Sequence, residues 1–201
     1  MQDQEIGLLR NVLRNKEHTA PFVMIDAGAN IGTFTLGLAP DIDGALYAFE
    51  AQPVIANMLA GSVALSQRTN IQVHNMALGR FDGTIEVPRY RYDAPMEFGS
   101  VEMSTQMERL HQTPQPVPYR VPMIKIDSLG LDHVDFIKID VEGMELDVLV
   151  GAERTLRICK PILFIEVLKS DQGIIGKFLQ LKDYRVEPVP PNDWLCYPIS
   201  R

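Results

Sequence analysis

Cysteine is scarce in this sequence, and Cys159 and Cys196 are the only two among its 201 residues. Two thiols are too few to build a disulfide framework, and these two do not have the spacing of metal ligands. We therefore expect both cysteines to be buried or unreactive thiols, and the sequence predicts neither a disulfide-stapled fold nor a cysteine-based metal centre.

Long hydrophobic runs and an excess of positive charge are also missing. No apolar run approaches the roughly 18 residues that a membrane span needs. The polar, amphipathic start MQDQEIGLLRNVLRNKEH lacks the basic and apolar regions of a secretory signal. A net charge of −7 would repel the backbone of a nucleic acid. We therefore expect a cytoplasmic protein with no membrane span and no nucleic-acid partner, whose oligomeric state the sequence leaves open.

The familiar phosphate-binding loops are absent as well. The stretch VMIDAGANIGTFTLGLAP, residues 23–40, has the outline of a strand, a tight small-residue turn and a helix start. No Lys follows Gly32, as GxxxxGK[ST] would require, and the positions that GxGxxG would fill after Gly28 are Asn30 and Thr33. The turn is therefore not typical of a nucleotide-phosphate site.

Apolar runs and turn signals alternate along the chain, which predicts an α/β fold. Strands are expected at residues 22–26, 46–50, 71–75, 135–140 and 162–167. Helices are expected at residues 3–15, 31–39, 53–66, 143–157 and 172–181. The closing segments 184–188 and 194–199 are close enough in sequence to pair antiparallel. We interpret residues 1–201 as one domain, a doubly wound, Rossmann-like and mostly parallel sheet with an antiparallel C-terminal hairpin at one edge.

Residues 79–124 interrupt this alternation. We interpret them as two short strands that form a β-hairpin region around an irregular insert of about 30 residues. Loops of that length in a compact domain often cover a site, which favours a lid. The alternative is a solvated excursion, since the Pro and Gln residues of QTPQPVP need no function. The interrupting segment carries several aromatic and basic residues: Arg89, Tyr90, Arg91, Tyr92, Phe98, Arg109 and Tyr119.

Acidic residues gather where the predicted strands end. In an open parallel sheet, ligands bind beyond the carboxyl ends of the strands. The last positions of the predicted strands hold Asp26, Glu50, Asn75, Asp140 and Glu166, and Glu142 lies two residues after Asp140. Five carboxylates on one rim repel each other unless a cation or hydroxyl donors balance them. We therefore expect a ligand that is cationic or rich in hydroxyl groups.

S-adenosylmethionine meets this expectation better than a dinucleotide does. It carries a sulfonium, an ammonium group and two ribose hydroxyls, and it has no phosphate. The turn at residues 26–32 would let the backbone approach its methionyl end, with Gly28 and Gly32 giving clearance. Glu50 stands where an acid accepts hydrogen bonds from a ribose diol. A dinucleotide-dependent oxidoreductase is disfavoured, because an anionic pyrophosphate fits poorly beside Asp26.

Five blocks, VMIDAGANIGTF, LYAFEAQP, HNMALG, DFIKIDVEGMELDVLVGA and PILFIEV, resemble the FkbM-type methyltransferases, a branch of the class I S-adenosylmethionine-dependent enzymes. The resemblance spans about residues 22 to 167. It implies a class I methyltransferase sheet and O-methylation of a hydroxyl on a sugar, glycan or polyketide-like metabolite. One departure is Ala51, where the family more often has Pro. Carried over residue by residue, the resemblance implies that Asp26, Gly28, Asn30 and Gly32 line the methionine portion of the cofactor. It also implies that Glu50 holds the ribose and that Asn75 and Ala77 lie near the adenine.

Methyl transfer mainly requires that the acceptor oxygen, the methyl carbon and the sulfur be aligned. A base near the weakly nucleophilic hydroxyl would contribute about 10²–10⁴-fold more. Asp140 and Glu142 are the first candidates by position, followed by Glu166 and His111. Asp140 is alternatively a contact for the cofactor's ammonium, and Glu142 a ligand for an acceptor hydroxyl. A divalent cation held by Asp140, Glu142 and Glu166 is a further possibility, although no metal is expected.

Other interpretations stay open at this point. Lys138 is either a paired buried cation or a contact at the rim. The arginines Arg89, Arg91, Arg109 and Arg120 could recognise an anionic acceptor, although charged loops are usually only solvated. The chain could also be a non-catalytic module that binds S-adenosylmethionine or a nucleoside and docks a protein partner through the insert.

Overall fold

The computed structural model describes residues 2–14, 21–89 and 117–199. In these ranges the chain forms ten strands: β1 Phe22–Ala27, β2 Gly44–Phe49, β3 Ile71–His74, β4 Ala77–Leu78, β5 Gly83–Val87, β6 Tyr119–Ile124, β7 Phe136–Ile139, β8 Ile162–Glu166, β9 Tyr184–Val189 and β10 Asp193–Pro198. It also forms six α-helices: α1 Gln2–Arg14, α2 Thr33–Leu38, α3 Pro53–Ser66, α4 Glu145–Val150, α5 Glu153–Ile158 and α6 Gln172–Leu181. Two 3₁₀ turns lie at Ala39–Asp41 and Ile126–Leu129.

Seven strands form the main sheet in the order β3-β2-β1-β7-β8-β10-β9. The neighbours from β3 to β8 are parallel, and β10 runs antiparallel between β8 and β9. The predicted α/β fold with a mostly parallel sheet and an antiparallel C-terminal hairpin is therefore confirmed. Strands β1, β2 and β3 lie on one side of the β1–β7 junction, and β7 to β10 lie on the other. The strand order therefore reverses at this junction, which is the usual place for a ligand in such sheets.

Both faces of the sheet are covered because the strands are apolar on both sides. Successive residues such as Phe164 and Ile165 point to opposite faces and belong to different core clusters. Helices α1, α2 and α3 supply Leu9, Leu38 and Leu59 to one cluster. Helices α4, α5 and α6 supply Leu149, Leu156 and Leu179 to the other. The sheet is thus doubly wound, and its edge of strand carboxyl ends is left free for a site.

The two strands predicted around the insert pair with each other as β5 and β6, and β4 adds to β6 in a separate three-stranded sheet. The two-residue strand β4 was not predicted, because so short a segment carries no periodicity. The predicted lid falls mostly on residues 90–116, which lie outside the described residues.

The helix predicted over residues 143–157 is wrong, since the chain forms two short helices, α4 and α5. The break lies at Gly151, where a Cβ would stand 2.0 Å from the carbonyl oxygen of Gly79. Helix α5 then begins afresh because the Asp127 carboxylate accepts the backbone N–H groups of Arg154 and Thr155, each at 2.8 Å.

The structure bears on two of the expectations drawn from composition, those for the cysteines and for membrane-spanning segments. Both cysteines are free thiols, and Cys196 is buried while Cys159 is partly so. None of the described helices combines the length and the hydrophobicity that crossing a membrane would require.

Candidate active site

The turn after β1 is built from residues in left-handed conformations. Gly28, Asn30 and Gly32 have φ angles of 78°, 51° and 96°, and the N–H groups of Gly28 and Ala29 both donate to the Phe49 carbonyl oxygen at 3.0 and 2.9 Å. A Cβ on Gly28 would lie 1.8 Å from the carbonyl oxygen of Asp140. Glycine at position 28 is therefore required by the contact between this turn and the end of β7, whereas the sequence argument attributed it to clearance for a ligand.

Glu50 ties this turn to the end of β2. Its side chain is nearly buried, with Oε2 accepting from the Asn30 N–H at 2.9 Å and Oε1 accepting from the Gln52 N–H at 2.7 Å. Burial raises the pKa of Glu50, and the two backbone N–H groups oppose that rise only in part. The Asn75 amide donates to the carbonyl oxygens of Glu50 and Ala51, which fixes the backbone behind the carboxylate.

A buried lysine stands between two of the strand-end carboxylates. The ammonium of Lys138 lies 3.1 Å from Asp140 Oδ2 and 3.6 Å from Asp26 Oδ1. Asp26 is fully buried, and its Oδ2 accepts from the Thr35 hydroxyl at 2.6 Å. Burial on its own lowers the pKa of the Lys138 ammonium, but the charges of Asp140 and Asp26 outweigh it and the pKa is raised. Of the two sequence interpretations, Lys138 is the paired buried cation.

The turn that follows Asp140 is held by hydrogen bonds to a side chain of the same segment. Glu142 and Gly143 have φ angles of 59° and 99°. The buried Glu145 accepts the N–H groups of Val141 at 3.2 Å and Gly143 at 3.0 Å, which explains why an acid occurs at that point of the VEGMELD segment. Glu142 forms an ion pair with Lys169. Burial raises the pKa of Glu142, and Lys169 opposes the rise.

These lysines change one sequence inference. Asp26, Asp140 and Glu142 have ammonium partners within the chain. The expectation that a ligand must balance all five rim carboxylates is therefore wrong for these three. The partner lysine of Glu142 lies 27 residues farther along the chain, so the local sequence pattern did not predict this ion pair.

A cleft opens between the β1 turn, the start of α3 and strands β4 and β5. It contains about 850 Å³ of space, counting the solvent at its mouth. Three carboxylates lie in its wall, those of Glu50, Asp140 and Glu142. The wall is otherwise mostly apolar, with Phe49, Ile55, Met76, Ala77, Leu78, Ile85, Val87, Val141 and Met144. Among the described residues that line it, none is Lys or Arg.

A second cavity, of about 790 Å³ when counted in the same way, shares Asp140 with the cleft. Its charged side chains are Glu5, Lys138, Asp140, Glu166 and Asp193. Burial and then the charges of Asp140, Glu142 and Asp193 raise the pKa of Glu166 to about 8. Burial and then the charge of Glu5 raise the pKa of Asp193 to about 6. In the part of the chain that the structure describes, no three His, Cys, Asp or Glu side chains are grouped to hold a metal ion.

The sequence-predicted residues divide into four groups. Six line the cleft: Gly28, Asn30, Glu50, Ala77, Asp140 and Glu142. Glu166 lines the second cavity, while Asp26, Gly32 and Asn75 support the site without lining either space. His111 lies outside the described residues. His74 packs its ring on Phe49, with centroids 4.8 Å apart.

Sequence reasoning missed the apolar walls of the cleft, such as Ile55, Met76 and Leu78. These residues read as ordinary core positions, since an apolar side chain at a strand or helix position does not reveal whether it faces the core or a cleft. The one available signal was their position next to the strand ends that the argument had already selected.

Comparison with known proteins assigns the family. The model of the methyltransferase FkbM domain matches residues 26–186. Methyltransferase 1 of Beauveria bassiana is 31% identical over 153 residues, covering 67% of this chain and 61% of its own length. Methyltransferase sdnD of Sordaria araneosa is 30% identical over 162 residues, covering 66% of this chain and 61% of its own. The chain thus spans about 61% of the length of these curated relatives.

Solved structures share the fold. Methyltransferase FkbM from Methylobacillus flagellatus superposes with a TM-score of 0.61 at 22% identity, over 94% of this chain and 47% of that one. SMU.1697c from Streptococcus mutans, solved in complex with SAH, superposes with a TM-score of 0.56 at 13% identity, over 96% of this chain and 97% of that one. With a family match that covers most of its length and a sheet of the same kind, the chain belongs to the FkbM methyltransferase family.

Proposed function

We propose that this chain is an S-adenosylmethionine-dependent methyltransferase that methylates a hydroxyl group of a sugar, glycan or polyketide-like metabolite. The observation that carries the proposal is the composition of the cleft, which combines an apolar wall with carboxylates and has no Lys or Arg among its described lining residues. Such a wall suits an adenosyl group with a positively charged end and disfavours a dinucleotide pyrophosphate.

The residues present fit this cofactor. Ile55, Met76 and Leu78 offer an apolar surface for a purine ring. Each Glu50 oxygen accepts one backbone N–H and keeps acceptor capacity for a ribose hydroxyl. Asp140 also lines the cleft, and its carboxylate would face the cationic end. When bound, the cofactor supplies an already activated methyl group, so the chain's main task is alignment.

We assign the acceptor to the second cavity, because Asp140 lines both this cavity and the cleft. A proton must leave the acceptor hydroxyl as its oxygen is methylated. Glu166 is the best-suited proton acceptor among the described carboxylates, since its raised pKa of about 8 matches a base that works near neutral pH. Asp140 already binds an ammonium, which suits it better to orienting charge than to taking a proton.

The charge of the second cavity favours an acceptor that is neutral or positively charged. The carboxylates of Glu5 and Asp193 face it without a lysine ion pair in the described part of the chain, whereas Glu166, with its pKa raised to about 8, is mostly protonated at neutral pH. Of the four arginines that could recognise an anionic acceptor, Arg91 and Arg109 lie outside the described residues. Arg89 and Arg120 line neither space, since Arg89 lies over the Tyr119 ring at 5.2 Å and Arg120 pairs with Glu86 at 3.0 Å. These contacts weigh against recognition of an anionic acceptor.

Calorimetric titration with S-adenosylmethionine, S-adenosylhomocysteine and NADH tests the cofactor. We expect heat and a thermal shift with the first two and none with NADH; no response to either sulfur compound would refute the proposal. Incubation with labelled S-adenosylmethionine and a panel of neutral, amino-substituted and carboxylated sugars then tests the reaction. Cofactor binding without methylated product across hydroxylated acceptors would favour the non-catalytic module instead.

A further inference from the structure

The ammonium of Lys138 is held by three neighbouring elements. Lys138 lies on β7 directly across from Asp26 of β1 and Phe164 of β8. Its side chain is 4% exposed, and its ammonium lies 4.9 Å from the centre of the Phe34 ring. The position of this charge is therefore fixed by the sheet and α2, even though the residue also lines the second cavity.

This ammonium lies closer to the partly exposed carboxylate than to the buried one. Its distance is 3.1 Å to Asp140, whose side chain is 32% exposed, and 3.6 Å to Asp26, whose side chain is 1% exposed. Asp26 also accepts a hydrogen bond from Thr35 at 2.6 Å. If the lysine served only to neutralise a buried charge, its shorter contact would be expected with Asp26. The geometry instead gives the shorter contact to the carboxylate that lies between the two cavities.

Asp140 is held at both its backbone and its side chain. Its carbonyl oxygen packs against Gly28, and its N–H donates to the Ala27 carbonyl oxygen at 3.0 Å. Its Oδ2 accepts from Lys138, and its carboxylate also shares a hydrogen bond with the Glu166 side chain. A carboxylate anchored in this way has a fixed orientation where it lines both the cleft and the second cavity.

We propose that Lys138 is a positioning residue whose ammonium orients the Asp140 carboxylate toward the cationic end of the bound cofactor, the end that carries the cofactor's own ammonium group. The inference rests on the proposed function, which assigns that end of the cofactor to Asp140. It goes beyond that function by giving a buried lysine control over ligand affinity through its neighbour.

The test compares Lys138→Met with the double variant Lys138→Met/Asp26→Asn. Methionine keeps the length and apolar packing of the side chain and removes the charge. The single variant leaves Asp26 buried and unpaired, so its unfolding temperature should fall by several degrees. The double variant removes both charges, and its unfolding temperature should return close to that of the wild type.

Affinity for S-adenosylhomocysteine, measured by calorimetry, separates positioning from stability. We expect both Lys138 variants to bind it at least tenfold more weakly than the wild type, and Asp26→Asn alone to lose less affinity than either of them. Recovery of wild-type affinity in the double variant would show that the lysine only neutralises Asp26, and the inference would be overturned. An affinity loss in Asp26→Asn equal to that of the double variant would also overturn it, since the lysine would then act through Asp26.

Two further variants complete the design. Lys182→Met is the matched control, because Lys182 also pairs with a carboxylate, Glu153, and lies over a phenylalanine ring, Phe178, yet it lines neither cavity; it should bind normally. Should neither Lys138 variant fold, Lys138→Arg decides, because it keeps the positive charge but not the geometry of the contact with Asp140: at least a tenfold loss supports the inference, and unchanged affinity overturns it. Absence of binding by the wild type would instead count against the proposed function itself.

Discussion

Glu50 Oε2 accepts the backbone N–H of Asn30 at 2.9 Å, so that one carboxylate at the end of β2 fixes the turn that follows β1. Because the other oxygen of Glu50 accepts from the Gln52 N–H at 2.7 Å, the same group also fixes the entry to α3. The acid proposed to bind the ribose is therefore also the group that shapes the cleft around it.

Replacing Glu50 with glutamine should weaken cofactor binding. The amide cannot accept both backbone N–H groups, since its NH₂ group is a donor. We expect calorimetry to give a Kd for S-adenosylhomocysteine at least tenfold higher, which corresponds to about 1.4 kcal/mol. Glu187→Gln is the control, because Glu187 is exposed on β9 and pairs with Arg185. Equal affinities for wild type and Glu50→Gln would remove Glu50 from the proposed binding site.

An alanine at position 28 should destabilise the fold. Its Cβ would clash with the Asp140 carbonyl oxygen at 1.8 Å, and the φ of 78° is unfavourable for any L side chain. We expect urea unfolding to show a loss of at least about 2 kcal/mol.

The matched control for this change is Gly61→Ala. Gly61 lies within α3, and a Cβ there would meet nothing within 4 Å. Alanine should stabilise that position by about 0.5–1 kcal/mol, since it is the better helix former. Similar unfolding midpoints for the two variants would contradict the tight contact at Gly28.

The pH dependence of stability should report the raised pKa of Glu166. Burial and the neighbouring carboxylates raise that pKa from its ordinary 4.5 to about 8. Between these values the folded protein keeps a proton that the unfolded chain has released, so the free energy of unfolding falls as pH rises through that window. Asp193, with a pKa raised to about 6, contributes in the same direction.

Glu166→Gln cannot ionise and should lose less stability over the same range. We expect its unfolding midpoint, relative to that of the wild type, to rise steadily between about pH 4.5 and pH 8 and then to level off. Unfolding curves collected at half-unit pH steps would measure this difference. A constant difference at every pH would mean that Glu166 titrates as it does in the unfolded chain.

Asp127→Ala should loosen the start of α5. Its carboxylate accepts the N–H groups of Arg154 and Thr155 and the Thr155 hydroxyl, all at 2.8 Å. Loss of an N-terminal cap of this kind costs about 1–2 kcal/mol, which urea unfolding would detect. Asp132→Ala is the nearby control, since that side chain is 99% exposed and should leave the midpoint unchanged.

The sequence predicted the parallel strands and the closing hairpin well, because they depend on local patterns. Apolar runs bounded by turn residues placed β1, β7 and β8 to within two residues. The break before α5 was not predictable in the same way. It depends on Gly79 and Asp127, which approach Gly151 and Thr155 only in the folded chain.

The sequence predicted the position of the candidate site but not the pairing of its charges. The strand-end rule selected Glu50 and Asp140, both of which line the cleft. A sequence does not reveal which lysine will approach which carboxylate, so the pairing of Lys138 was left open and that of Lys169 was missed. Burial decides these pairings, since a charge removed from water takes the nearest opposite charge that packing allows.

The contact between Gly28 and the Asp140 carbonyl oxygen also limits how the chain can be recombined. The two residues come from sequence blocks more than a hundred positions apart, yet neither backbone can shift without the other. A chimera that imports the segment after β7 from a relative should fold well only when the donor's β1 turn is transplanted with it.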